Sequence, residues 1–283
     1  MSDALRGALA QLLGTEVRTL QGVAGGDINR AYQATLDSGR RVFVKTHAAP
    51  PAGAYACEAE GLVWLRAPRA LRVPEVLAVS EQLLVLEWID GGARGRDFDE
   101  RFGRGLAQLH RAGAPSFGMA GEGYLANLAL DNRPRTSWSA FYGEQRLLPL
   151  GVRARDGGWL SAATLARLEA LCTRLSAVCG AEEPPSRLHG DLWSGNVMVD
   201  AEGAPVIVDP AAYGGDREVD LAMLRLFGAP SARFFAAYAE VYPPKPGADE
   251  RVALYQLLPL LVHVCLFGPS YVGQLERGLA RYA

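Results

Sequence analysis

Apolar positions recur with two different periods along this chain, and the change of period divides it. Between residues 16 and 89, the runs 16–23, 30–37, 40–47, 76–80 and 82–89 are rich in β-branched and aliphatic residues. They are bounded by Gly, Asp, Ser and Pro clusters and read as strands. Residues 54–67 (AYACEAEGLVWLRA) interrupt that series with helical spacing and strong helix formers, and 2–13 read as a short amphipathic helix. After Glu87-Trp88-Ile89 comes DGGARG, the composition of a hinge or linker. Beyond it the spacing is helical over 98–112, 136–150, 159–179, 217–227, 230–241 and 249–267. The order predicts an α+β chain of two lobes: residues 1–90, an antiparallel sheet with one helix, and residues 91–283, mainly helical.

The helical half is broken once, at LHGDLWSGNVMVDAEGAPVIVD (188–209). Strand 196–200 runs out, Ala201-Glu202-Gly203-Ala204 turns, and 205–209 runs back. Equal arms return Asp209 close to Asn196. Transfer of a phosphoryl group from a nucleotide needs such a cluster of oxygen-bearing groups. One carboxylate accepts the proton of the attacking hydroxyl, while an amide oxygen and a second carboxylate hold Mg²⁺ against the phosphates. Asp191 and Asn196 have the Asp-to-Asn spacing of a kinase catalytic loop, with His-Gly-Asp in place of His-Arg-Asp, and Asp209 stands where Asp-Phe-Gly would begin.

Composition sharpens one assignment. Of 29 basic residues only Lys45 and Lys245 are lysine, so a lysine inside the apolar strand Val42-Phe43-Val44-Lys45 asks for a reason. A phosphate-binding ammonium held by a carboxylate on the next helix supplies one, with Glu58 and Glu60 as candidates facing different sides. Gly25 and Gly26, between the first two strands, could cover phosphates with backbone N–H groups. The strand end Glu87-Trp88-Ile89 could read an adenine edge through its backbone. Trp193 is placed to pack against a substrate's sugar or amine. His189 and Asp220 read as supports of the catalytic loop, His110 as packing, and His263 as a core histidine. A Ser/His/Asp hydrolase is excluded for want of a nucleophile elbow.

Bulk properties limit the remaining classes. The chain has 283 residues, 49% hydrophobic and 21% charged, enough for one large domain or two lobes. A formal charge of −2 gives no general attraction to nucleic acid or anionic membrane. The longest apolar run, around 257–267, is interrupted by Pro259 and His263 and falls short of a membrane span, and the N-terminus shows no signal-peptide pattern. Cys57, Cys172, Cys179 and Cys265 lack metal-site spacing and suit reduced thiols in a cytoplasm; Cys172 and Cys179 fall on one face of the predicted helix 159–179.

These motifs, with GGDINRAY (25–32), LVLEWI (84–89), LAQLH (106–110), WSAFYGEQRLLP (138–149), HGDLWSGN (189–196) and DPAAYGGDREVDLAM (209–223), resemble the fructosamine kinase family, relatives of aminoglycoside phosphotransferases and choline kinases. The resemblance implies a protein-kinase-like fold and ATP with Mg²⁺. It implies Glu58 as partner of Lys45, Asp191 as base, Asn196 and Asp209 as metal ligands, and a role for His263 near the substrate. It implies phosphorylation of the third-carbon hydroxyl of a small-molecule or protein-bound ketosamine, leading to deglycation by a monomer that needs neither nucleic acid nor membrane. An aminoglycoside or amino-alcohol acceptor is the alternative, and a nucleotide-binding scaffold without activity a more distant one. Two positions depart from relatives: Asp27 stands where some carry a glycine-loop cysteine, and Val262 precedes His263 where many carry Asn.

Overall fold

Alternation along β3 (Arg41–Thr46) decides where the N-terminal helices go. The computed structural model describes residues 2–23, 29–228 and 230–282, so Gly25 and Gly26 lie outside the described residues. Strands β1 (Val17–Val23), β2 (Arg30–Leu36), β3, β4 (Val76–Val79) and β5 (Leu83–Glu87) form one antiparallel sheet in the order β1-β2-β3-β5-β4. Val42 and Val44 point to one face with Leu83 and Val85, where Leu9 of helix α1 (Ser2–Leu13) joins them. Phe43 and Lys45 point to the other, beside Leu84 and Leu86, where helix α2 (Ala54–Arg66) packs through Tyr55, Leu62 and Leu65. The sheet therefore carries a helix on each face rather than the single helix expected. Leu62 and Leu65 are fully buried, and each contributes about 1.5–3 kcal/mol by leaving water.

The α2 cluster does not stop at the sheet. It continues through Leu71 and Val73 into Phe102, Leu106 and Leu109 of α3 (Phe98–Arg111), and on to Leu192 and Ile207. The DGGARG segment is likewise fastened. Gly92 N donates to Val199 O (3.1 Å) and Gly95 N to Gly203 O (3.1 Å), so it lies along the catalytic hairpin instead of hanging free.

The rest is mainly helical. After the hairpin β6 (Glu122–Leu125) and β7 (Leu128–Asp131) come α4 (Trp138–Tyr142), a π-helical turn over 143–147, α5 (Leu148–Asp156), α6 (Ala162–Cys172) and α7 (Leu175–Val178). Strands β8 (Ser186–Leu188), β9 (Val197–Val199), β10 (Pro205–Ile207) and β11 (Tyr213–Gly215) precede α8 (Glu218–Leu226), α9 (Ala232–Val241), α10 (Ala248–Phe267) and α11 (Val272–Leu279). The predicted helix 136–150 is three consecutive pieces reaching Asp156. The predicted helix 159–179 starts after the Ser161 cap, whose Oγ accepts from Thr164 N, and breaks after Cys172. Cys172 and Cys179 therefore do not share a helix, and all four cysteines are free thiols. The helix predicted over 249–267 is present as α10, which runs through Pro259 and His263, and the expectation that this run falls short of a membrane span is not met. By length and composition α10 is long and apolar enough to cross a membrane, but it packs inside the core with Tyr142, Leu147 and Leu150.

Candidate active site

Hairpin β9–β10 brings the acidic residues to the cleft. Val197 pairs with Ile207 and Val199 with Pro205. Asp200 closes the turn, its Oδ1 accepting from Glu202 N (3.1 Å) and Ala204 N (2.8 Å). The paired strands are shorter than the expected arms, but the return is as expected. Val208 N donates to Asn196 O (3.0 Å), which sets Asp209 beside Asn196. Asp209 adopts a left-handed φ of 59°, a conformation that few residues other than Gly and Asp/Asn tolerate. From there its carboxylate meets the Lys45 ammonium of the facing sheet.

Lys45 Nζ also donates to Glu58 Oε2 at 2.7 Å, so Glu58, not the exposed Glu60, is its partner. The lysine side chain is 9% exposed while that of Asp209 is 49% exposed and open to the cleft. Burial alone would lower the Lys45 pKa; Glu58 and Asp209 overcome it and hold the ammonium well above its ordinary value. Burial pushes Glu58 up, against the pull of Lys45. For Asp209 the Lys45 charge outweighs burial and holds the carboxyl below its usual range.

Asp191 faces this group from the loop before the hairpin. Burial, then the neighbouring Asp209 charge, push its carboxyl up to about 7, against the hydrogen bond from Asn196. Asn196 Nδ2 donates to both Asp191 O (2.9 Å) and Asp191 Oδ2 (3.0 Å). Among the described residues nothing donates to the Asn196 amide oxygen.

The loop is braced from below by groups that do not reach the cleft. His189 Nε2 lies 2.9 Å from Val208 O, so it carries the proton, and Nδ1 accepts from Asp191 N (3.3 Å). Burial lowers the His189 pKa, keeping the ring neutral. Asp220, wholly buried at the start of α8, accepts from His189 N (2.8 Å), Gly190 N (3.0 Å) and His110 Nε2 (3.2 Å). Burial raises its pKa, but His110 and the loop N–H groups win and hold it below the usual carboxylate range. Gly190 sits at φ 82°, and a Cβ there would collide with the Ala211 carbonyl oxygen. We expect Asp220→Asn, which leaves one of three donors without an acceptor, to cost about 1–3 kcal/mol in urea unfolding. It should also lower turnover at least about tenfold by loosening the loop. The depressed carboxyl of the parent stabilises above its unfolded pKa and loses that contribution as pH falls, and the variant should lack this acid sensitivity.

Lys45, Glu58, Asp191, Asn196 and Asp209 line one cleft of about 1250 Å³ between the sheet and the helical part. Lys45, Glu58, Leu86, Glu87, Trp88 and Ile89 line its sheet side. The Glu87 carboxylate is committed elsewhere, accepting from Arg72 Nη2 (2.8 Å) and Glu75 N (3.2 Å), so only backbone at this strand end is free to read a base. Trp193, 39% exposed, and His263 line the opposite side. His263 is not the core histidine its apolar surroundings suggested. It stacks on Phe227 with ring centres 4.6 Å apart, donates from Nδ1 to Pro259 O (2.7 Å), and burial keeps it neutral. The hairpin β6–β7 also lines the cleft, through Glu122, Tyr124, Leu125 and Asn127. Sequence reasoning missed it: its strands are four residues each, joined by Ala126-Asn127, and the only signal was a pair of glycines at 121 and 123.

An antiparallel sheet over a helical body, with a lysine–glutamate pair facing two aspartates and an asparagine across a deep cleft, defines a kinase of the protein-kinase-like fold. Solved structures agree. A choline kinase of Streptococcus pneumoniae shares the fold at TM-score 0.68 and 16% identity over 100% of this chain and 99% of its own. A candidate fructosamine-3-kinase of Thermobifida fusca superposes at TM-score 0.92 with 41% identity, covering 99% of this chain and 98% of its own. The fructosamine kinase family model matches residues 1–283, and the chain belongs to that family. A probable ketoamine kinase of Thermus thermophilus is 40% identical over 259 residues, 90% of this chain and 91% of the relative. The chloroplastic protein-ribulosamine 3-kinase of Arabidopsis thaliana is 34% identical over 266 residues, 91% of this chain and 80% of the relative.

Proposed function

We propose that the protein phosphorylates the third-carbon hydroxyl of ketosamines with ATP, and that the phosphorylated adduct then releases its amine. The observation that carries this reading is the Lys45 ammonium shared between Glu58 and Asp209 across the cleft from Asp191, in a chain that belongs throughout to the fructosamine kinase family. ATP lies between lobe 1–90 and lobe 91–283, its base against the backbone of Glu87, Trp88 and Ile89; Gly25 and Gly26, outside the described residues, remain the proposed phosphate cover. Lys45 grips phosphate oxygens. Asp191, held by Asn196, orients the acceptor hydroxyl and takes its proton as the oxygen attacks the terminal phosphorus and the bond to ADP breaks. Trp193 and His263 lie on the acceptor side.

The donor set fits Mg²⁺. Among the described residues the carboxyl groups of Glu58, Asp191 and Asp209 face the Lys45 ammonium, and nothing donates to the Asn196 amide oxygen. Asn196 and Asp209 would hold the ion, which supplies charge neutralisation of the phosphates when bound. We place this activity in a cytoplasm, where the four thiols stay reduced, and in a monomer acting on free or protein-bound ketosamines.

The test is ATP consumption by purified protein with Mg²⁺ on fructose-, ribulose- and erythrulose-amine adducts, beside kanamycin and choline. Turnover of a ketosamine is expected. Turnover of kanamycin or choline alone would overturn the acceptor, and nucleotide binding with no turnover would leave a scaffold.

A further inference from the structure

Asn132, just past β7, is 5% exposed yet lines the cleft. Its orientation is fixed by Arg146, a fully buried arginine in the π-helical turn 143–147. That guanidinium is stacked between the Phe141 and Tyr213 rings, 4.5 and 4.4 Å from their centres. It donates to Asp131 O (2.8 Å), Gln145 O (2.9 Å) and the Asn132 side-chain oxygen. A guanidinium can only donate, so the Asn132 oxygen must face it and the –NH₂ group must face away. That –NH₂ lies over Gly123, where a Cβ would collide with it. Among the described residues it has no acceptor. The amide nitrogen keeps some exposure and opens to the cleft, where a ligand oxygen can take the place of water, and the rest of this network holds it in place.

We propose that the Asn132 –NH₂ group donates to a second hydroxyl of the acceptor, not the one phosphorylated, and so selects among sugar moieties. Asn132 lines the same cleft as Asp191, Trp193 and His263. A donor excludes the acceptor's ammonium as partner, because both could only donate. An uncharged donor suits a neutral sugar oxygen better than a phosphate, which Lys45 already serves. Arg146 is then a positioning residue, acting through Asn132. The inference rests on the ketosamine reading.

The experiment compares wild-type and Asn132→Ala protein on a ketosamine and on analogues deoxygenated singly at each carbon beyond the third. Wild-type protein should penalise one analogue about tenfold in kcat/KM, the worth of one good hydrogen bond. In Asn132→Ala that penalty should fall below about threefold, with the others and the KM for ATP unchanged. A merely structural role would lower every acceptor alike. If Asn132→Ala does not fold, Asn132→Asp keeps a partner for Arg146 while removing the donor, and it should also lose the wild-type profile. A profile identical to wild type in a folded variant overturns the proposal. Absence of ketosamine turnover by the wild type would instead overturn the underlying function.

Discussion

Asp191→Asn should lower kcat by about 10²–10⁴-fold while the KM for ATP stays within about threefold. The substitution is nearly isosteric, and the oxygen of the introduced amide can still accept from Asn196 Nδ2, which donates to Asp191 Oδ2 at 3.0 Å in the parent. What is lost is a group able to take a proton. The pH profile gives a second reading of the same residue. A base must be deprotonated to act, and the Asp191 carboxyl is pushed up to about 7 by burial and by Asp209. The wild-type kcat/KM for acceptor should therefore rise with pH through roughly 7 and level off above it. The residual activity of the variant should lack that limb. Near-normal turnover, or an unchanged acidic limb in Asp191→Asn, would remove Asp191 from the base role.

Much of this site could be read before any coordinates. Lys45 stood out because lysine is so rare in the chain, and the alternation of β3 puts it on the same face as Phe43 and α2. The catalytic hairpin was legible because its turn residues and equal arms act locally. The choice between Glu58 and Glu60 came from the family resemblance rather than from spacing, since helical spacing offers both, and the packing of α2 across the sheet places Glu58 on Lys45. The three-residue strands β8 and β11 pair Ser186 with Gly215 and Leu188 with Tyr213. Such pairing is set by long-range packing and leaves no periodic trace in so few residues. Asp220 was legible as a support of the catalytic loop, and the structure gives it donors from His189, Gly190 and His110; which donors they are follows only from the packing of α8 and α3 against the loop. Pro259 did not break the helix predicted over 249–267: a proline usually ends a helix, but α10 is packed among α5, α8 and α11, and tertiary packing carries it through.

Lys45→Met should abolish most activity and also destabilise the fold, a combination Asp191→Asn should not show. The ammonium is the single cation facing Glu58, Asp191 and Asp209 among the described residues lining the centre of the cleft. Its removal takes away the proposed donor to phosphate oxygens, an expected loss of about 10²–10³ in kcat/KM by analogy with deleting one preorganised donor. It also leaves the Glu58 carboxylate recessed without a counter-charge. Deleting one partner of a buried pair costs about 3–5 kcal/mol, and the lower end applies because Asp209 is half exposed and solvent screens it. The sign with pH follows from the parent. Lys45 is held charged well above its ordinary value, so its contribution is fully present at neutral pH and would be lost only on strong alkalinisation. Asp209 is held low, so its contribution is present above the unfolded carboxylate pKa and lost in acid. In the variant both vanish, and stability should depend less on pH in acid. Without the Lys45 charge, which lowers the Asp191 pKa, the base should also titrate higher than in wild type, so residual activity should recover partly on raising the pH. Lys45→Arg should not restore turnover, because the pocket between Glu58 and Asp209 fits a compact ammonium rather than a planar fork. Urea unfolding with ATP turnover across pH checks each step, and a Lys45→Met protein with activity within about threefold of wild type would sink the phosphate-binding role.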